Sequence, residues 1–210
     1  NNNKSGYSVS ISSDGNVLAI GAPDNDGNGY ESGQVRVYHW DSLSWIQKGQ
    51  DIDGENADDE SGFSVSLSSD GNVVVIGSPY NEGCGVNCGQ VRVYGWDGSF
   101  WTQIGQDIEG EAAGDASGIS VSLSSNGNIV AIGANGNDEN GSDAGHVRVF
   151  QYNGNLWLQL GQDIDGEDVF DAVSGISVSL SNDGDILAIG ATGNDDNGSN
   201  SGHVRIFNYD

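Results

Sequence analysis

Alternating apolar and polar residues mark the first regular segment of the chain. Three apolar residues alternate with two serines there, in the order Tyr7, Ser8, Val9, Ser10 and Ile11. This period of two predicts a β-strand with two unlike faces, which we call strand A. The serines are small, so the segment suits an innermost strand against which neighbouring sheets crowd.

Three further segments follow strand A at short intervals. The dipeptide Asp14-Gly15 predicts a two-residue type I′ hairpin turn, because both positions favour positive φ angles. Residues 17–20 are apolar without interruption, as expected of a strand B that is covered on both faces. A polar loop leads to strand C around Val35-Arg36-Val37, and strand D begins at Trp45.

This order of segments recurs along the whole chain. Residues 5–12 read SGYSVSIS, and the matching segments begin 56, 56 and 57 residues apart at Ser61, Ser117 and Ser174. Thirty residues after each start comes the Val-Arg-Val or Val-Arg-Ile core of strand C. Forty residues after the first three starts comes a tryptophan that opens the motif W-x-Q-x-G-Q-D-I-x-G-E. The repeats therefore span residues 5–60, 61–116, 117–173 and 174–210.

The strict period predicts an all-β fold, a β-propeller of four-stranded antiparallel blades. Residues 1–210 form a single propeller domain or a fragment of one. A fourth tryptophan would fall at position 214, beyond Asp210, so the last of the four repeats lacks its fourth strand.

The missing strand predicts an interaction. An unpaired strand edge is a template on which another chain can add a strand. We expect the gap to be filled by strand donation, either from another copy of this protein or from the rest of a longer parent chain. The alternative is that the chain is a piece of a propeller of about seven or eight blades.

Charge excludes two classes of partner. The 210 residues include 31 Asp and Glu against 6 Lys and Arg, a formal net charge of −25. Such a surface repels nucleic acids and anionic lipids, so we expect neither nucleic-acid binding nor membrane insertion. No apolar stretch approaches the length of a membrane span.

The repeat resembles the FG-GAP type found in the head of integrin α chains. The resemblance rests on Gly62-Phe63 before strand A, on Gly21-Ala22-Pro23 and Gly77-Ser78-Pro79 after strand B, and on the Val-Arg-Val-Tyr strand. It implies a propeller with a role in adhesion or ligand binding outside the cell. The calcium loop of that family lies between strands A and B, where this chain has only a short turn. A calcium site therefore does not follow from the resemblance.

The loops between strands B and C are the candidate calcium sites. The first begins Asp24-Asn25-Asp26-Gly27-Asn28-Gly29, like the opening half of an EF-hand loop, although the glutamate at position 12 is absent. The candidate ligands are Asp24, Asp26, Asn28 and Glu31 in the first repeat, Asp138, Asn140 and Asp143 in the third, and Asp195 in the fourth. The alternative is that these side chains cap their own turns. No cofactor other than calcium is expected.

The second repeat has cysteines in this loop. Cys84 and Cys88 predict a local disulfide and an oxidising compartment, with a free thiol pair as the alternative. Asparagines in N-x-S sequons, namely Asn3, Asn140 and Asn197, are candidate glycosylation sites.

The arginine of strand C recurs in all four repeats. We expect each arginine to pair with carboxylates nearby and to be structural, and the aspartates of the Gln-Asp-Ile motif, Asp51, Asp107 and Asp163, are examples of such partners. The alternative is a basic ring that binds a ligand.

Nearly every polar residue recurs in phase, whereas a catalytic group is needed only once. No nucleophile-elbow, zincin or P-loop motif occurs. We therefore expect no enzyme, but a secreted or cell-surface structural and adhesive propeller module that assembles into a fibre or matrix by strand complementation. The alternative is a calcium-dependent, lectin-like module that binds glycans or proteins through the B–C loops.

Overall fold

The computed structural model of the chain describes residues 3–167, 173–195 and 197–209. These residues form eighteen strands and no helix, arranged in four separate antiparallel sheets that follow the four repeats. The predicted all-β fold with propeller blades is confirmed, and the sheets do not close into a ring.

Each blade has the predicted strand order. Strand A is β1 (Ser8–Ile11), β6 (Ser64–Leu67), β11 (Ser120–Leu123) and β16 (Ser174–Leu180). Strand B is β2 (Val17–Ala22), β7 (Val73–Ser78), β12 (Ile129–Ala134) and β17 (Ile186–Ala191). Strand C is β3 (Gln34–Trp40), β8 (Gln90–Trp96), β13 (His146–Tyr152) and β18 (His203–Asn208). The A strands of successive blades contact one another, which makes them the innermost strands.

Strand D consists of two short segments that both pair with strand C of their own blade. They are β4 (Trp45–Gln47) with β5 (Ile52–Asp53), β9 (Trp101–Gln103) with β10 (Ile108–Glu109), and β14 (Trp157–Gln159) with β15 (Ile164–Asp165). In the first blade, Gln47 lies opposite Tyr38 and Ile52 lies opposite Val35, so residues 48–51 bulge outward. The described part of the fourth blade contains only β16, β17 and β18, as the repeat count predicts.

The A–B turn differs from its prediction. Gly15 has a φ of 73°, but Asp14 is not among the residues with positive φ, so the turn is not type I′. The Asp14 carboxylate accepts hydrogen bonds from the Ser12 hydroxyl at 2.7 Å and from the Asn16 backbone at 3.0 Å, which hold Asp14 at negative φ. The same hydrogen bonds lower the pKa of Asp14 to about 2. The Ser12 hydroxyl in turn accepts from the Val17 backbone at 2.9 Å.

The hydrophobic core lies between blades. The cluster of the first and second blades joins Val35 and Val37 of β3 to Val65, Leu67 and Trp101 of the next blade, and two further clusters repeat this arrangement. Strand B of the third blade is buried at every residue, which confirms that it is covered on both faces. Each blade therefore stabilises its neighbour rather than itself.

Close approach of two blades explains the glycine at the end of strand B. A Cβ on Gly133 of the third blade would overlap the backbone oxygen of Gly175 in the fourth. The equivalent Gly190 of the fourth blade would meet only the hydroxyl of Ser177 from its own blade, with no other heavy atom nearer than 3.8 Å. The glycine at this repeat position is thus tightly enclosed in the third blade, whereas in the fourth blade the described residues place no neighbouring blade against it.

Gly133→Ala is expected to lower the free energy of unfolding by about 2–3 kcal/mol, because a backbone carbonyl cannot move aside as a side chain can. Gly190→Ala is the matched control and should cost less than about 1 kcal/mol. Urea denaturation of both variants measures the difference. Equal losses would show that contact between blades does not set the requirement for glycine.

Candidate functional site

Adjacent blades are joined by their D strands. Gln50 of the first blade donates to the backbone oxygen of Trp101 in the second at 2.8 Å, and its own side-chain oxygen accepts from the Trp101 backbone at 3.1 Å. The Trp101 indole donates to the backbone oxygen of Lys48 at 2.6 Å. Gln106 and Trp157 repeat this pattern one blade later. The motif W-x-Q-x-G-Q-D-I is therefore a connector between blades.

The strand-C arginines form a second link between blades. Arg148 donates to the backbone oxygen of Glu109 in the preceding blade at 2.6 Å and lies 3.5 Å from the Glu111 carboxylate. Arg92 likewise reaches the preceding blade, where it contacts Glu55 at 3.6 Å. The prediction that the arginines pair with nearby carboxylates is therefore confirmed for these two residues. Their partners are glutamates of the preceding blade rather than Asp107 and Asp163, because that blade covers their side of strand C.

In the first blade the prediction is correct. Arg36 forms two hydrogen bonds of 3.1 Å to Asp51 of its own blade. The described residues supply no blade in front of Arg36, so the carboxylate of Asp51 is the acceptor that its side chain meets.

The first blade presents an exposed apolar face. Its residues Tyr7, Val9, Ile11 and Trp45 form what we call the leading face. Val9 is 61% exposed, whereas the equivalent Val65 is 9% exposed. Trp45 is 41% exposed, whereas the equivalent Trp101 is 3% exposed. The leading face is the side of a blade that every later blade packs against its predecessor.

The fourth blade presents the opposite face. Ile186, Val204 and Ile206 form what we call the trailing face. Val204 and Ile206 are 66% and 72% exposed, whereas Val147 and Val149, their equivalents in the third blade, are 0% and 1% exposed. Strand β18 pairs with β17 along one edge, and no strand D is present among the described residues to cover its other edge.

Tyr209 occupies part of the place that a strand-D tryptophan takes in the other blades. Its hydroxyl donates to the backbone oxygen of Leu160, as the Trp157 indole donates to Ile104 one blade earlier. The joint between the third and fourth blades thus has an equivalent of the tryptophan contact, and Arg205 also donates to the backbone oxygen of Asp165 at 2.7 Å, although the described part of the fourth blade has no strand D.

The candidate calcium ligands take part in the hydrogen bonding of their own loops. Asp26 accepts from the Glu31 backbone at 3.0 Å, and Asp24 lies 3.0 Å from the ammonium group of Lys4. Asp138 accepts from the Asp143 backbone at 2.8 Å. In the fourth blade Asp195 accepts from Asn200 in the same way, at 2.6 Å. These contacts agree with the capping alternative, and calcium binding in these loops stays a prediction.

Asn28 and Asn140 hold the B–C loop against the end of strand D. The Asn28 side-chain amide donates to the backbone oxygen of Gly54 at 2.7 Å, and Asn140 makes the equivalent bond to Gly166 at 2.5 Å. Cys84 takes this position in the second blade, with its Sγ 3.3 Å from the backbone oxygen of Gly110.

The predicted disulfide is present. It joins Cys84 to Cys88 across a Cα–Cα distance of 5.8 Å, and the structure shows no free cysteine among the residues that it describes. The bond fastens the one B–C loop in which the asparagine is replaced.

The three sequon asparagines differ in their surroundings. Asn140 and Asn197 are exposed, whereas Asn3 is partly buried. The amide nitrogen of Asn140, to which a glycan would attach, also donates to the Glu167 backbone oxygen at 3.1 Å. Glycosylation at the three sites stays a prediction.

Part of the chain is similar to a known family of repeats. The model of the FG-GAP repeat family matches residues 109–150 and 162–207, which cover parts of the second, third and fourth repeats. No curated protein matches the sequence. Nor does any helix that could serve as a membrane span occur among the described residues.

Substitutions of Asp26 test whether its side chain caps the loop or binds calcium. Asp26→Ala should lower the free energy of unfolding by about 1 kcal/mol, because the Glu31 amide loses its acceptor. Asp26→Asn keeps an acceptor oxygen and should stay within about 0.5 kcal/mol of the wild type. Thermal unfolding with and without about 5 mM calcium measures the stability of the wild type and of both variants. Calcium stabilisation of the wild type that Asp26→Asn abolishes would support the calcium site instead.

Proposed function

We propose that this chain is a non-enzymatic, extracellular structural and adhesive propeller module that assembles by strand complementation, and the match of the FG-GAP repeat model to residues 109–150 and 162–207 supports this. Such repeats indicate a propeller-type module of a kind often involved in adhesion and typically extracellular. The disulfide in the second blade fits an oxidising compartment.

The open trailing face is the observation that carries this proposal. Two β-branched side chains, Val204 and Ile206, lie mostly exposed beside an uncovered strand edge. In the third blade, strand D covers that edge, with Ile164 opposite Val147 and Trp157 opposite Tyr152. The fourth blade therefore offers an incoming strand both backbone groups and an apolar surface, which together give affinity and register.

The leading face offers the matching half of a joint. Trp45 of this face and Arg36 of the same blade are equivalent to residues that bind the preceding blade elsewhere in the chain, through the glutamine of strand D and the carbonyl at its end. Both of those acceptors belong to strand D, which is not present among the described residues of the fourth blade. We therefore propose that a fourth strand completes the last blade, and that a further blade then stacks upon it.

Two sources of that strand fit these observations: a neighbouring copy of the chain, and the rest of a longer parent chain. Assembly of copies in series would build a fibre or a matrix, and the net charge of −25 would keep such an assembly soluble.

A donor peptide tests the vacant edge directly. A synthetic peptide with the sequence of residues 155–167, which spans β14 and β15, is expected to bind the fourth blade and slow amide exchange in β18 by about tenfold or more. The matched control peptide carries Trp157→Ala and Ile164→Asp, which remove its two apolar anchors. Hydrogen exchange followed by mass spectrometry measures the exchange rate of the β18 amides with each peptide. The proposal fails if the β18 amides of the free protein are already as protected as those of β13 and neither peptide changes them.

Sedimentation velocity tests the trailing face in assembly. The native protein is expected to form larger species as its concentration rises, and the double substitution Val204→Asp and Ile206→Asp should abolish them, because charges cannot be buried unpaired at a joint. Leu43→Asp is the control, since Leu43 is 87% exposed in a turn away from both faces. A monomer at all concentrations would argue against assembly of copies and would leave only the parent chain as the source of the strand.

A further inference from the structure

A cleft between the second and third blades gathers three side chains of metal-binding type. Glu111 follows strand β10 of the second blade, His146 begins β13, and Asp163 lies between β14 and β15. One ligand atom from each lies within 4.8 Å of the other two. Within residues 3–167, 173–195 and 197–209, no other group of three His, Cys, Asp or Glu side chains is placed so closely.

His146 is buried and lacks a hydrogen-bond partner. Its side chain is 1% exposed, and neither ring nitrogen forms a hydrogen bond. Nδ1 points at Glu111, 3.7 Å from Oε2. A buried polar group without a partner costs free energy unless a ligand satisfies it.

The equivalent residues of the first two blades are satisfied in another way. Gln34 donates to Asp53 at 2.8 Å, and Gln90 donates to Glu109 and Glu55 at 3.3 and 3.2 Å. In the third blade an imidazole replaces the amide, while the surrounding carboxylates are kept.

Burial and charge both act on His146. Burial lowers the pKa of His146, and the positive charge of Arg148 lowers it further, while Asp163, Asp115 and Asp165 act in the opposite direction.

Two further contacts shape the cleft. Arg148 lies 3.5 Å from Oε1 of Glu111, which leaves the Oε2 atom directed at His146. Asp165 is the register partner of His146 across the sheet, and its Oδ1 is buried with no hydrogen-bond partner. Asp165 is thus an additional oxygen donor beside the three side chains.

We propose that Glu111, His146 and Asp163 bind one divalent transition-metal ion of the zinc class and so clamp the second blade to the third. One imidazole with two or three carboxylates suits Zn²⁺, whereas Ca²⁺ is bound by oxygen ligands alone. Ligands from two blades tie the ion to the joint, so metal binding stabilises the folded stack.

Zinc titration of the untagged, metal-stripped protein tests the proposal. Calorimetry is expected to show one Zn²⁺ per chain, and zinc at about 100 times its Kd should raise the Tm by about 5–10 °C. Calcium at the same concentration is not expected to bind at this joint. His146→Gln installs the residue of the first two blades and should abolish zinc binding while it preserves the fold.

Two matched controls and a second ligand variant complete the design. His203→Gln changes the equivalent position in the fourth blade, His39→Gln removes the remaining histidine, and both should bind zinc like the wild type. Asp163→Asn should weaken zinc binding about tenfold or more, which keeps the test informative if His146→Gln folds poorly. A wild type that takes up no zinc, or uptake that neither His146→Gln nor Asp163→Asn alters, would overturn the proposal.

Discussion

Burial of each sheet by its neighbours is the constraint on which the rest of this structure depends. A single twisted sheet has two faces, and these blades are apolar on both, so neither face is covered within one blade. Val35 and Val37 reach full burial only because Val65, Leu67 and Trp101 of the next blade pack on them. Each such side chain contributes about 1.5–3 kcal/mol when it is buried. A stack of this kind is necessarily incomplete at its ends unless it closes or meets a partner.

Polar contacts give this apolar stacking its register. Valine against leucine tolerates a small slip, whereas the pair of hydrogen bonds between Gln106 and Trp157 and the bond from Arg148 to the Glu109 carbonyl do not. All these acceptors lie on strand D or on the bulge within it. Strand D therefore completes its own sheet and also positions the following blade. The described part of the fourth blade has no strand D, so both roles are unfilled there, which is why strand addition and blade stacking form one proposal rather than two.

Periodicity predicts the features that lie within one repeat, whereas contacts with the neighbouring blade escape it. Strand order, the position of strand D and the three-stranded last blade can all be predicted from the spacing of repeated residues. The disulfide follows from the two cysteines in one loop. The predicted type I′ turn is wrong because the Asp14 carboxylate accepts from the Asn16 backbone and Asp14 keeps a negative φ. That Arg92 pairs with a carboxylate was predictable, but its partner Glu55 belongs to the preceding blade and could not be named from one repeat. The open faces could have been found, since the first and last copies of a buried position have no neighbour in the chain.

Differences between copies at one repeat position show where a blade departs from the shared pattern. The joints hold the backbone in one geometry, so a single replacement meets surroundings that are already fixed. Cys84 replaces an asparagine that holds a loop to strand D, and a covalent bond to Cys88 then fastens that loop instead. His146 replaces a glutamine whose amide donates to the neighbouring carboxylates. The imidazole lies beside the same carboxylates without a hydrogen-bond partner, and a bound metal ion would satisfy both. A chemical site thus arises in one blade from one substitution, while the fold around it is maintained by all the positions that did not change.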